Sequence, residues 1–425
     1  MESLKCQVLE KEGFHQVEPG DIFNNRYIVI KKLGKGHFST VWLAYDTNQF
    51  TYSALKVMRS TRRDVAEDEI EIHQAISRAT GSEEWQKRQE LHKTYIGHFE
   101  DRKYFADMLD WFELQCVHGV HLVMVFEVLG MNIFQYLKTK RFEGLPMDQV
   151  KEISKQLLLG LDFLHEVVGA IHTDLKPENI LLEPDYATLN EFIWESVLEL
   201  KAQQSYESIF YDLYGNKISK RSRIPGQPDN TQRLKVRIGD LGNGIWRKEL
   251  YEHQIQSRQF RSPEVILGIP YDESADIWSL ACCIFRIATG DFLFYPRETE
   301  TFSKEDDHLG LMIETLGKFP YLWAKTGKRY KHYFNSKGKL NRRPTHPHSL
   351  VKLLQSEHGF DQQTAEEFSE FLLPMLSYKP EERASAETCL QHCFLSRDLP
   401  SYSEESSESE DSWDGFELRI ELVKG

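Results

Sequence analysis

The chain has 425 residues, 40% hydrophobic and 28% charged, a balance that fits a globular enzyme and excludes a wholly disordered or fibrous protein. The formal net charge of −14 argues against a nucleic-acid binder and suits a basic partner; six acids and no base fall in residues 401–414, leaving −8 of the −14 for the rest. The longest apolar run, residues 280–288, is interrupted by Arg286 and is too short for a bilayer span, and residues 1–13 lack the apolar core of a signal peptide. These features predict a protein that stays inside the cell, without membrane or direct nucleic-acid contact; cytoplasm and nucleus are the expected compartments, the nucleus from a basic run noted below, and a monomer is the default. Six cysteines show no paired CxxC spacing, so neither a disulfide framework nor a zinc site is expected; the short Cys389, His392, Cys393 cluster reads as helix packing.

Residues 1–26 read as an extension with little periodicity. From residue 27 to about 57, short β-branched and aromatic runs alternate with turn signals (YIVIKKL, GKGH, STVWLAYD, TNQ, FTYSALKVM), predicting a small antiparallel sheet. Ala66, Ile70, Ile72 and Ile76 among acids predict an amphipathic helix, and VHLVMVFEVL at 120–129 predicts a buried strand. Beyond Gly130 helical patterns take over, as in VKEISKQLLLGLDFLHEV and ADIWSLACCIFRIATG. A strand-rich piece followed by a helix-rich piece is an α+β arrangement of two lobes, divided at 27–129 and 130–398. Residues 185–234 interrupt the second lobe with a helix-like FIWESVLELKAQQ and then a basic, turn-rich run read as a spacer. The Ser/Glu-rich residues 399–425 read as a disordered tail.

Chemistry first shows in Leu33-Gly34-Lys35-Gly36-His37-Phe38-Ser39-Thr40-Val41. Two glycines one residue apart, between strands, let backbone amides approach polyphosphate, although an ordinary hairpin has the same composition. Lys56, in Ala54-Leu55-Lys56-Val57, is costly to bury unless an anion meets it; the alternative is a snorkelling strand lysine. Ile171-His172-Thr173-Asp174-Leu175-Lys176-Pro177-Glu178-Asn179 resembles the protein-kinase catalytic loop H-R-D-L-x-x-x-N, with Thr173 for arginine. Ile238-Gly239-Asp240-Leu241-Gly242-Asn243 resembles the D-F-G segment, with Leu241 for phenylalanine. Ser262-Pro263-Glu264 stands where kinases carry A-P-E, with Arg383 as partner for Glu264, and Asp276-Ile277-Trp278-Ser279 opens an apolar helix. Every element keeps the kinase order over residues 27–396, and the chain is identified as a member of the protein kinases with a bilobal fold.

That resemblance implies ATP and Mg²⁺ as cofactors. The glycine-rich segment would cover the phosphates, with Ser39 in place of the third glycine. Lys56 would grip the α- and β-phosphates and pair with a helix glutamate, for which Glu69 is favoured over its neighbours Glu67, Asp68 and Glu71. Asp174 would take the substrate hydroxyl proton, Lys176 would neutralise charge on the moving phosphoryl group, and Asn179 and Asp240 would hold metal. Lysine two residues after the aspartate is the Ser/Thr-kinase form.

HFSTVWLA, HTDLKPENILL, DLGN, SRQFRSPEV and ATGDFLF together resemble the SR-protein kinases, which phosphorylate serines in Arg/Ser-rich splicing factors; the insertion is also that family's habit, though short here. The runner-up is the LAMMER group, whose E-R pair is missing from residues 307–314; a pseudokinase scaffold is the reading from another class. Asp307 and Glu314, seven residues apart, project from one helix face, where an extended Arg-rich peptide could meet both. The resemblance places Asp291, Asp307 and Glu314 in an acidic docking groove, and Arg258, Arg261 and Lys304 in a basic pocket for an already phosphorylated residue. Thr173 cannot receive an activation-loop phosphate as arginine does, and no Ser or Thr lies between Gly242 and Ser257, Tyr251 being the one hydroxyl. Activity without activation-loop phosphorylation is therefore expected. The basic run 217–223 is a candidate nuclear signal.

Overall fold

A computed structural model describes residues 13–97, 103–116, 119–184, 186–203, 234–249, 254–342 and 347–396. The acidic tail, the run 217–223 and Tyr251 lie outside these residues.

A six-stranded antiparallel sheet forms the first lobe from β1 (Ile22–Phe23), β2 (Tyr27–Lys35), β3 (Ser39–Asp46), β4 (Thr51–Met58), β5 (Met108–Cys116) and β6 (Gly119–Phe126), in the order β1-β2-β3-β4-β6-β5. Alternation decides which residues face which layer. Tyr27 and Val29 of β2 pack with Trp42, Leu55, Val57 and Val123 on one face, where Val17 and Phe23 of the extension join them. The first lobe therefore begins within the extension, before residue 27: a turn through Asn24 and Asn25, both at a left-handed φ of 50°, folds β1 back onto β2.

Ile28 and Ile30 point the other way, into a cluster with Leu43, Tyr45, Ile193, Val197 and Leu200. The last three come from the insertion. Its predicted helix forms after β8 (Ile180–Leu182), over Tyr186–Gln203, and lies against β2, with Lys31 Nζ 2.7 Å from Glu199 Oε2. The insertion thus begins as a strut from the second lobe to the first, and its basic run falls outside the described residues.

Helix α1 (Arg63–Ala79) turns Ala66, Glu69, Ile70, Ile72, His73 and Ile76 inward. Ala66 and Ile70 meet Met58, Leu122 and Met124 of the sheet. Helix α2 (Glu83–Ile96) follows, then the helical lobe: α3 (Ile133–Thr139), α4 (Met147–Asp162, continued as a π-helical segment Phe163–Val168), the insertion helix as α5, α6 (Pro263–Leu267), α7 (Ser274–Thr289), α8 (Lys304–Leu316), α9 (Leu350–His358) and α10 (Gln362–Leu372). Short pairs frame the lobe interface: β7 (Ala170–Ile171) with β10 (Ile245–Trp246), and β8 with β9 (Val236–Ile238). Helix α7 is buried along Ala275–Thr289 and forms the centre of this lobe. None of the described helices is long and apolar enough to cross a membrane.

Candidate active site

The β2–β3 hairpin carries the glycine-rich segment. Gly36 N donates to Ser39 O at 2.9 Å, closing the turn. A Cβ built on Gly34 would meet nothing within 4 Å, so open space flanks the backbone where a bulky ligand would need it. Two residues short of the end of β4, Lys56 faces Glu69 of α1: Nζ donates to Oε1 at 2.6 Å and Oε2 at 2.8 Å. Glu69 is fully buried, whereas Glu67 turns outward to Arg63, which settles the choice among neighbouring acids.

The same Nζ lies 2.7 Å from Asp240 Oδ1, just after β9. A cation from the first lobe and a carboxylate from the second thus share one cleft. Burial alone would push the Lys56 ammonium down, but Asp240 and Glu69 outweigh it and hold it above the usual lysine value. Lys56 in turn draws the Asp240 carboxyl down to about 2. Gly242 completes the corner, since a Cβ there would sit 3.1 Å from Glu69 Oε2 and 3.4 Å from Asp240 Oδ1.

The catalytic-loop residues converge beside it. His172 N and Thr173 N both donate to Asp276 of α7, at 2.7 and 2.8 Å, and His165 Nε2 reaches the same carboxylate at 2.9 Å. Asp174 Oδ1 accepts from Ser257 N at 3.0 Å and Ser257 Oγ at 2.7 Å. Lys176 Nζ donates to Asp174 Oδ2 and to Ser257 Oγ. Asn179 Nδ2 donates to Asp174 O at 2.9 Å, so its amide oxygen is the group left for a cation. Two oxygen donors, the Asn179 amide and an Asp240 side chain 48% exposed, suit a hard divalent cation.

The comparisons agree with this geometry. The protein kinase domain family matches residues 27–208 and 224–395. The chain is similar to "Serine/threonine-protein kinase SRPK" of Physarum polycephalum, 39% identical over 412 residues that cover 92% of this chain and 91% of that protein. It is also similar to "Protein kinase dsk1" of Schizosaccharomyces pombe (33%, covering 88% and 81%) and "SRSF protein kinase 3" of Mus musculus (29%, covering 91% and 89%). The chain belongs to the SR-protein kinase family. It is a serine/threonine protein kinase, and its domain uses ATP, typically with a divalent metal.

In this kinase three non-glycine residues around the cleft adopt left-handed backbone: Thr173 (φ 67°), Asp240 (58°) and Gln256 (67°). Such conformations cost about 1–3 kcal/mol each and persist only when surroundings enforce them. Thr173 Oγ1 donates to Asn243 O at 2.6 Å, tying the catalytic loop to the segment after Asp240 without any phosphate. Gln256 is buried, donating to Ala275 O and Ser279 Oγ and accepting from Ser262 N and Oγ. Glu264 and Arg383 form the expected pair, fully buried and bidentate at 2.8 and 2.9 Å.

The docking and phosphate residues differ from expectation. Asp307 and Glu314 do share a face of α8, yet they are not an open acidic surface: Arg342 Nε lies 2.8 Å from Asp307 Oδ1 and Nη1 2.7 Å from Glu314 Oε1. Both acids are buried as a result. Asp291 stands apart on the loop after α7, exposed, with Arg286 Nη1 at 3.9 Å. Arg258 is paired with Glu305, and Arg261 donates to the carbonyls of Ile255 and Gln256, so both bases already serve the protein. Lys304 is exposed at the start of α8. The positive field is nonetheless felt: burial, then Arg261 and Arg258, pushes His308 down to about 3.

Ser257, Gln256 and Arg342 went unnoticed in the sequence. Also unsignalled was a group of His15, Cys116 and His121, whose ligand atoms lie within 4.8 Å of one another. His121 Nδ1 already faces Met58 O at 2.7 Å, and Cys116 Sγ faces Gly119 O at 3.2 Å. Of the cluster near the chain end, Cys389 is buried and His392 Nδ1 accepts from Phe394 N, as packing residues do.

Proposed function

We propose that this kinase transfers the γ-phosphate of Mg²⁺-bound ATP to serines in Arg/Ser-rich proteins, and that it does so without activation-loop phosphorylation. The observation that carries the chemistry is the arrangement of Asp174. Its Oδ1 accepts two hydrogen bonds from Ser257, which leaves Oδ2, shared with Lys176, to face the incoming hydroxyl. Serine Oγ attacks Pγ, the bond from Pγ to the bridging oxygen of ADP breaks, and the hydroxyl proton passes to Asp174 Oδ2. Lys176, beside that oxygen, offsets charge on the moving phosphoryl group. Lys56, aimed by Glu69, holds the α- and β-phosphates, while backbone amides of the 33–41 segment cover them. Asn179 and Asp240 would hold Mg²⁺ through their oxygens, and the ion would supply positive charge against the phosphates.

The substrate class is supported by the net charge of −14, the paired acids of α8, and relatives named SRPK and SRSF protein kinase 3. Independence from phosphorylation is supported by the Thr173–Asn243 bond and the four hydrogen bonds of Gln256, which hold the segment with uncharged groups. Asp291, Asp307 and Glu314 as docking acids, and Arg258, Arg261 and Lys304 as a product-phosphate pocket, complete the proposal. So does a monomer that works in cytoplasm and nucleus.

Radiolabel transfer from ATP to peptides in Arg/Ser, Pro-directed and acidic contexts tests the reading. The Arg/Ser peptide should be strongly preferred, and Asp174→Ala should abolish labelling; equal rates on all three would remove the substrate assignment. Enzyme made in bacteria and treated with phosphatase should keep its turnover, and a loss would refute constitutive activity.

A further inference from the structure

Helix α8 contains a seat shaped for one arginine. Ser303 and Asp306 cap the helix reciprocally, and Asp307, Gly310 and Glu314 follow at positions that share one face over two turns. Gly310 matters for its missing side chain: a Cβ there would lie 2.3 Å from Arg342 Cδ, 2.5 Å from Nη1 and 2.8 Å from Cζ. The guanidinium therefore lies directly on the helix backbone between two carboxylates. Arg297 N donates to the second oxygen of Asp307 at 2.8 Å and fixes that carboxylate's orientation.

The occupant comes from a stretch with the chemistry of the proposed substrate. Residues 337–343, KGKLNRR, hold four bases and no acid. The stretch before Arg342 is anchored without it: Asn341 N donates to Tyr333 O and Asn341 Nδ2 to His332 O, both at 2.8 Å, and Leu340 is buried opposite Phe334.

We propose that Arg342 is an internal competitor for this seat, and that an arginine-rich substrate docks on α8 only by displacing it. The proposal deepens the reading of the kinase as an Arg/Ser-directed enzyme and rests on it. A tethered occupant lowers the apparent affinity for any outside arginine by the fraction of time the seat stands empty. A peptide with one or two arginines cannot overcome that. A long Arg-rich segment can, because its further arginines hold it nearby while one exchanges with Arg342. Arg342 therefore selects long arginine-rich segments over isolated arginines, a specificity the acids alone would not provide.

The test uses labelled Arg/Ala-repeat peptides, which have no hydroxyl to phosphorylate, binding to the full chain in a fluorescence-anisotropy titration. Arg342→Ala should tighten a two-arginine peptide about tenfold or more, and a sixteen-residue repeat by less. Gly310→Ala, which pushes Arg342 off the helix, should change short-peptide affinity in the same direction. Adding Glu314→Gln to Arg342→Ala should cancel the gain. Should Arg342→Ala be poorly folded alone, the short peptide should raise its melting temperature saturably, and fail to do so with Glu314→Gln present. Unchanged short-peptide affinity in both single variants, or an unrescued Arg342→Ala, overturns the proposal. Since no phosphate moves in these titrations, failure of the Arg/Ser substrate reading would show separately, in the labelling experiment.

Discussion

The catalytic cleft and the acidic face of α8 are built from the same parts and left in opposite states. In the cleft one lysine touches two carboxylates, and one of these, Asp240, keeps 48% of its side chain open. On α8 one arginine touches two carboxylates, and both are closed, at 9% and 5%. A cationic cluster that keeps an open carboxylate can admit a metal and a polyphosphate as they arrive. A closed one must first lose its occupant. On the proposed reading, the difference separates chemistry, which is preassembled, from recognition, which is gated.

The largest effect should come from breaking the cleft at its base. Asp174→Asn keeps the shape and the contact with Ser257 but cannot accept a proton, so kcat should fall about 10²–10⁴-fold. Nucleotide affinity should stay near normal, since Asp174 meets the hydroxyl rather than the phosphates. Single-turnover kinetics with a fluorescent nucleotide titration would read both; retained turnover would remove Asp174 from its role. Lys56→Met should be the next largest. Removing the ammonium leaves Glu69 buried without its ion-pair partner, a change that costs roughly 3–5 kcal/mol when a buried pair is split. Both melting temperature and labelling of substrate should drop. A variant with normal stability and rate would mean that the Lys56–Glu69 contact is incidental.

These two predictions rest on residues the sequence made legible, and the reason is local. Asp174, Lys176 and Asn179 sit within six positions, and Asp240 and Gly242 within three, so short spacing reveals them before any fold is known. Glu69 needed only the buried face of α1 to be separated from Glu67. Ser257, Gln256 and Arg342 act through contacts to residues from 6 to 83 positions away, and a lone Ser, Gln or Arg in a loop carries no pattern. Helix α2 escaped for another reason: its inward residues are Trp85, Gln89 and His92, a mostly polar face with His92 Nε2 3.1 Å from Asp162, so it shows no apolar stripe. Strand β1, two residues long, is too short to announce itself.

Gln256 tests whether the segment between cleft and α8 is held by neutral groups alone. Gln256→Leu keeps most of the bulk but strands the buried Ser262 N–H and hydroxyl, so about 2 kcal/mol of stability should be lost. Turnover should fall with it, because Ser257 is the next residue and fixes Asp174. A stable Gln256→Leu enzyme with low turnover would locate the effect in positioning. Unchanged turnover would mean that the left-handed turn at 256 survives without its four bonds.

The effect that is smallest per histidine and per pH unit, and the one that reaches both regions at once, is acid sensitivity. His73 lies behind the cleft and His308 on α8; burial, with Lys56 near the first and Arg261 and Arg258 near the second, pushes each to about 3. An unfolded histidine titrates near 6.5, so between about pH 6.5 and 3 the unfolded chain binds protons that the folded one refuses. Stability is therefore lost as pH falls through this window, by about 1.4 kcal/mol per pH unit for each histidine. Asp240, drawn down to about 2, adds its own loss only below the unfolded carboxylate value near 4, so the histidines act first. Denaturant melts of His73→Leu and His308→Leu between pH 7 and 4.5 should each flatten the slope by one histidine's share, and the double variant by both. If only His308→Leu flattened it, the ring behind the cleft would be able to accept a proton in the folded protein. The cleft would then be the more adaptable of the two regions, against the order drawn above.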